Sequence, residues 1–214
     1  MFLESYKKAL EVIMKKPFVL WGLSLLSVLI VYLGTIVTAP IFVLGVVVSF
    51  LITCGMAKVY LDGLEGKEVN SEQLFACFNK NFLKVAGGMA WMLLWILIWS
   101  LIPIAGPIIA IVKAYSYRFV PYILITKPEV SATEALRLSM KMTNGIKSQM
   151  FLADVCFAGG IFVATLVLGL FSAIPVLGTL FALALAALLL AVGVFGNIFT
   201  GLYQAYFFAK KDAE

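Results

Sequence analysis

Six apolar stretches, each long enough to cross a bilayer, dominate what this chain can fold into. They cover residues Pro17–Val37, 41–59, 85–102, 104–125, 149–173 and 179–209. About 20 apolar residues in a helix, at ~1.5 Å per residue, match the ~30 Å hydrocarbon thickness. In lipid every backbone N–H and C=O must find a partner inside the protein, so such stretches are expected as helices. Composition agrees: 63% of the 214 residues are hydrophobic and 13% charged, against ~45–50% and ~25% in soluble domains. A soluble fold of this size could not hide that apolar surface. The expected fold is all-α and polytopic, one membrane domain spanning residues 1–214.

Short apolar corners join the stretches pairwise into three hairpins. They are Thr38-Ala39-Pro40 and residues 103–107 and 174–178, where proline and glycine break the helix and supply the turn. The lysine-rich start followed by an apolar run resembles a signal peptide. The run Pro17–Val37 is too long for one, however, and Pro40 makes a poor cleavage site, so an uncleaved first membrane helix is expected.

Polar segments of helical character lie between the hairpins. In residues 3–16, Leu3, Tyr6, Leu10 and Ile13 share one face, with Glu4→Lys8 and Glu11→Lys15 pairs at i,i+4 on the other. In 71–84 the apolar stripe is Leu74, Phe75, Phe78 and Phe82, with Lys80 and Lys84 off it. In 131–147 it is Ala135, Leu138, Met142 and Ile146, and Ser131 with Glu134 reads as a capping box. Helices of this kind lie in the membrane interface or tuck against the bundle.

Charge sets the expected orientation. The segments outside the hairpins, with Lys58 at the end of the second stretch counted in the connector that follows it, carry 14 of the 16 lysines and arginines; the other two are Lys113 and Arg118, inside the fourth stretch. The corners carry none, so the connectors and both termini are expected on the cytoplasmic side of the cell (inner or plasma) membrane. The net charge of +5 is accounted for by this bias, and no nucleic-acid partner is expected. Anionic lipid headgroups suit the basic helices. A protein partner or a second copy of the chain is the other partner class.

A parallel internal repeat is also legible, with units 3–62, 70–126 and 131–209. The second and third match best: Ile102-Pro103-Ile104-Ala105-Gly106 is similar to Ile174-Pro175-Val176-Leu177-Gly178.

One stretch carries a family resemblance. Tyr117, Tyr122-Ile123-Leu124, Lys127-Pro128, then Glu134-Ala135-Leu136, Ser139, Met142, Gly145 and Lys147 resemble the bacterial six-pass membrane proteins filed as domain of unknown function 975. The likeness is sharp over about residues 115–150 and one of general pattern elsewhere. Where that family often opens its fifth helix with Phe-Ile-Gly-Trp, this chain has Phe157-Ala158-Gly159-Gly160. The resemblance implies six helices and no known enzyme activity.

Ionisable groups within a membrane are costly and mark places to look for function. Arg118 lies nine residues before Lys127 and Asp154 seven after Lys147, so both sit ~10–13 Å from the same interface. An Arg118–Asp154 pair is expected, either as a structural tie between helices or as part of a substrate or proton site. Lys113 and Asn197 also share a depth, ~20 Å in, which suggests a contact in a polar cavity with Tyr115 and Tyr117 nearby; the alternative is a Lys113 that reaches the far headgroups. Gly87, Gly88, Gly159, Gly160, Gly193, Gly196 and Gly201 are expected to permit close helix packing. Trp91, Trp95 and Trp99 form a core or lipid-facing stripe. Cys54, Cys77 and Cys156 have neither metal nor redox spacing, and there is no histidine.

No phosphate loop, nucleophile elbow or acidic metal cluster is present. The expectation is a non-enzymatic protein without cofactor or metal. It binds or moves a hydrophobic or amphiphilic small molecule such as a lipid or peptide. The alternative is a scaffold or accessory subunit that docks a partner on its basic face.

Overall fold

The computed structural model describes residues 1–37, 42–78, 82–174 and 177–213, all-helical in their regular structure. Six helical stretches among them are long and apolar enough to cross a membrane, the pattern of a multi-pass membrane protein. In chain order the helices are α1 (Phe2–Lys15), α2 (Pro17–Val37), α3 (Phe42–Leu64), α4 (Ser71–Leu74), α5 (Phe82–Ser100), α6 (Gly106–Ser116), α7 (Val120–Thr126), α8 (Ala132–Thr143), α9 (Lys147–Phe171) and α10 (Gly178–Asp212). Helices α2 and α3, α5 and α6, and α9 and α10 pack as neighbours, and α10 also lies against α1, α2 and α3. Thr38-Ala39-Pro40, Pro175, Val176 and Lys80 fall outside the described residues.

The expected boundaries change most in three places. Helix α3 runs on to Leu64, five residues past the expected end. The stretch 71–84 is not one amphipathic helix. It is the single turn α4, started by Asn70 and Gln73 in a reciprocal capping box, then a 3₁₀ turn over Ala76–Phe78. Leu74 and Cys77 are the buried residues there, while Phe75, Phe78 and Phe82 stay exposed. The fourth stretch is interrupted between α6 and α7 at Tyr117-Arg118-Phe119. Pro121, at the start of α7, has no N–H to give, and its ring would strike the carbonyl of Tyr117 in a continuous helix.

Helix α1 is rotated from the orientation its apolar stripe suggests: of that stripe only Tyr6 and Ile13 pack against the core. Ser5, Ala9 and Val12 are buried, whereas Leu3, Leu10 and Met14 are exposed. Small side chains let backbones approach, and in lipid a leucine gains nothing by turning inward. Glu11 pairs with Lys15 at 2.8 Å, but Glu4 pairs with the terminal amine and Lys210 rather than with Lys8. In α8, Ser131 caps the helix by accepting from the Glu134 N–H at 3.3 Å, and Ala135, Ser139 and Met142 face inward.

The glycines of the second and third corners share a local geometry. Gly106 N–H donates to Ile102 C=O and Gly178 N–H to Ile174 C=O, both at 2.8 Å. A Cβ on either glycine would collide with a backbone carbonyl six residues back, that of Ser100 or of Ser172. Elsewhere the helical glycines divide. A Cβ at Gly201 would strike the Tyr60 ring, and one at Gly88 would lie 2.8 Å from Leu124. At Gly87, Gly159, Gly160 and Gly193 it would meet nothing, so those four serve no close packing among the described residues.

Candidate functional site

The break in the fourth stretch creates the site. A broken helix at this depth frees backbone groups that need partners inside the protein. Helix α8 provides them: Ser139 Oγ donates to Ser116 C=O at 2.8 Å and accepts from Phe119 N–H at 3.2 Å. Thr143 Oγ1 also reaches Ser116 C=O, at 3.3 Å. Gly145, with φ +80°, makes the tight turn that returns the chain from α8 to α9; a Cβ there would be strained.

The break puts Arg118 opposite Asp154 on α9. Arg118 grips the carboxylate end-on: Nη1 donates to Oδ2 and Nη2 to Oδ1, the latter at 3.2 Å. Tyr115 OH donates to Oδ2 at 2.6 Å, and Tyr203 OH donates to Oδ1. Four donors therefore converge on one carboxylate, which is how a charge withdrawn from water is compensated. Both side chains are about one-quarter exposed, 23% for Arg118 and 24% for Asp154. Arg118 also lies over the Tyr115 ring, 4.9 Å from its centroid.

Gln204 on α10 completes the surroundings of the guanidinium. Its amide satisfies its neighbours only with the carbonyl turned toward Arg118, where Oε1 accepts from Nη2 at 2.7 Å and Nε at 3.2 Å. Helix α1 closes the site from one side. Tyr6 packs on Phe199 and Tyr203 with centroids 4.8 and 5.6 Å away, and its hydroxyl donates to Ala153 C=O. Burial pushes that hydroxyl up to about 12, so it remains a neutral donor.

On its other side Arg118 faces a cleft of about 540 Å³ between α2, α3, α7 and α10. Val28, Val31, Ile52, Met56 and Ala57 form much of its apolar wall, and Asn197, Thr200 and Gln204 contribute polar groups. Arg118 is the one charged side chain on that wall among the described residues.

Of the other sequence-nominated residues, Asn197 and Tyr122 line the cleft and the rest scatter. Lys113 does not meet Asn197: its ammonium lies 4.7 Å from the Trp99 ring centroid. Equal depth fixed neither which way round its helix each residue points nor which helices are neighbours. Tyr117 is buried in the core and is not part of the cleft wall. Tyr122 stacks on Phe208 and donates to Gly201 C=O at 3.1 Å. Pro128 follows the end of α7, its carbonyl taken by Lys84, and Lys147 opens α9. Trp91, Trp95 and Trp99 contact one another edge-on or tilted. Cys54 and Cys77, distant in sequence, are both buried and their thiols interact. No three metal-ligating side chains gather among the described residues.

Tyr6, Thr143, Tyr203 and Gln204 were not nominated by the sequence. One signal existed: Tyr203 lies seven residues before Lys210, the same spacing that separates Asp154 from Lys147.

The model of a family described as protein of unknown function (DUF975) matches residues 88–182, and the chain resembles that family. The match includes Tyr115, Arg118, Ser139 and Asp154 and stops before Tyr203 and Gln204. No curated protein and no solved structure matches the chain.

Proposed function

We propose that the protein is a non-enzymatic, multi-pass protein of the cell membrane that binds or moves a hydrophobic or amphiphilic small molecule. The observation that carries this reading is the cleft of about 540 Å³ with apolar walls and Arg118 set into one of them. Sites for small molecules are concave, mostly apolar and fitted with a few polar groups that fix orientation. In this reading the connectors and both termini lie in the cytoplasm, because the positive charges concentrate there. The exposed basic residues of α1 and α8, such as Lys7, Arg137 and Lys141, rest among anionic headgroups. The parallel repeat remains part of this reading, supported by the matching Gly106 and Gly178 corners.

A second reading draws on Asp154. Its carboxylate is fully occupied by Arg118, Tyr115 and Tyr203, as a purely structural tie would be. A scaffold or accessory subunit needs no more than that, with the basic face left for a protein partner or a second copy.

Native mass spectrometry on the protein extracted with its own lipids separates the two. A lipid, peptide or metabolite retained at fixed stoichiometry supports binding, provided occupancy falls when the cleft is filled by Ala57→Phe. A retained protein subunit with no small molecule supports the scaffold and overturns the first reading.

A further inference from the structure

Arginine presents two planar forks to a carboxylate or phosphate: end-on through Nη1 and Nη2, and side-on through Nε and Nη2. In Arg118 the end-on fork holds Asp154, its permanent counter-ion. The side-on fork holds the neutral carbonyl of Gln204, at 2.7 and 3.2 Å. Both Arg118 and Gln204 line the cleft. Asp154 does not.

We infer that the side-on fork of Arg118 is the headgroup site of the cleft, that its occupant is an amphiphile with an acidic head and one acyl chain, and that Gln204 is the stand-in this head displaces. The inference rests on the binding reading above and names its ligand class. A neutral amide is a weaker acceptor than an anion, since charge-assisted hydrogen bonds are shorter and roughly twice as strong. An incoming carboxylate or phosphate therefore gains at this fork what Gln204 does not supply. No acidic side chain lines the cleft wall to repel it among the described residues, and it shares the charge of Arg118 with Asp154. The tail lies against Val28, Val31, Ile52 and Met56. Gln204, released, turns its amide toward the hydroxyl of Thr200, which shares the wall one helical turn away.

Displacement leaves the Arg118–Asp154 pair in place, so binding needs no break in the bundle. It also predicts which residue sets selectivity. A carboxylate at position 204 would occupy the fork from within.

The test measures binding of dodecanoate, dodecyl phosphate and dodecanol to the purified full chain in nanodiscs of neutral phosphatidylcholine, by competition against a fluorescent fatty acid. Dodecanoate or dodecyl phosphate is expected to bind about ten-fold tighter than dodecanol, the worth of one charge-assisted contact. The two acids distinguish a carboxylate from a phosphate head. Acetate and inorganic phosphate, run alongside, are expected not to compete, since they lack the tail. Gln204→Glu is expected to bring the acids down to the level of the alcohol and leave dodecanol unchanged, whereas Gln204→Ala keeps the acid preference. Melting temperatures confirm that each variant is folded. Equal binding of acid and alcohol by the unaltered chain overturns the headgroup assignment while the binding reading stands. No binding by any of the three overturns the inference and leaves the binding reading to native mass spectrometry. An acid preference that survives Gln204→Glu in folded protein shows that the head sits elsewhere and overturns the inference.

Discussion

The Ser139 hydroxyl donates to the carbonyl of Ser116 at 2.8 Å while accepting the N–H of Phe119. One side chain thus supplies both a donor and an acceptor to a broken helix. Ser139→Ala removes them together and leaves Phe119 N–H buried without its partner. An unsatisfied buried group costs about 1–3 kcal/mol, so the variant is expected to unfold at lower temperature in mild detergent. Ser139→Thr, which keeps the hydroxyl, is expected to recover most of the loss. An unchanged melting temperature in Ser139→Ala would show that Thr143 alone holds the break.

This clamp also shows where sequence reasoning stops. The spans were legible because apolar length and a ~30 Å solvent leave few choices. Arg118 and Asp154 were close to readable, since rise per residue fixes their depth. Lys113 and Asn197 were matched by the same arithmetic and do not meet, because depth says nothing of azimuth. The break itself was announced by Pro121, yet an unbroken apolar run hides a kink when the partners that tolerate it lie elsewhere. Those partners are on α8, whose stripe marked a helix lying in the interface or tucked against the bundle but did not mark Ser139 as the clamp of a break. In α1 only half of the apolar stripe packs inward, Tyr6 and Ile13 but not Leu3 and Leu10, because hydrophobicity marks lipid as readily as it marks a packed interior. Small residues such as Ser5 and Ala9 carried the packing signal instead.

Breaking the Arg118–Asp154 pair from one side strands a charge. Asp154→Asn keeps the shape but leaves Arg118 without a counter-ion; for a fully buried pair that costs about 3–5 kcal/mol, and with both side chains one-quarter exposed a smaller loss is expected. Replacing both, with Arg118→Met and Asp154→Leu, is expected to cost less than Asp154→Asn alone, because no charge is left behind. The comparison is made by unfolding each variant in the same detergent. If Asp154→Asn melts like the parent while ligand binding disappears, the pair is part of the site and not a tie.

Gly201 and Tyr60 meet on the cleft wall with no room for a methyl group between them. Gly201→Ala overpacks this contact, at a cost of about 1–3 kcal/mol, and should narrow the cleft as well. Combining it with Tyr60→Leu is expected to restore stability, since the ring is what the methyl strikes. Gly193→Ala serves as the control. Its added Cβ meets nothing within 4 Å, and alanine favours the helix by about 1 kcal/mol. A neutral Gly201→Ala would mean that α3 and α10 can part at no cost.

The attachment of α1 should depend on pH through Glu4. The terminal ammonium of Met1, at 3.2 Å, and Lys210 of α10, at 3.5 Å, hold its carboxyl below the ordinary value of 4.5. Glu11 is lowered likewise by Lys15 and Lys8, but those pairs stay within α1. A carboxylate with a depressed folded pKa binds fewer protons in the folded state than in the unfolded one. Its contribution is therefore complete above the unfolded value and fades as pH falls through the folded one. Glu4 is solvent-exposed, so the effect is small and screened by salt. Glu4→Gln is expected to lower the melting temperature slightly at pH 6.5 in dilute buffer. The difference from the parent should shrink as pH falls below 4.5 and disappear once the pH is well below the depressed folded value, and it should also disappear at high salt, where the ion pair no longer acts. A difference that persists into acid would mean Glu4 holds α1 by packing or by neutral hydrogen bonds, such as the one from Tyr206 at 3.4 Å, and not by charge.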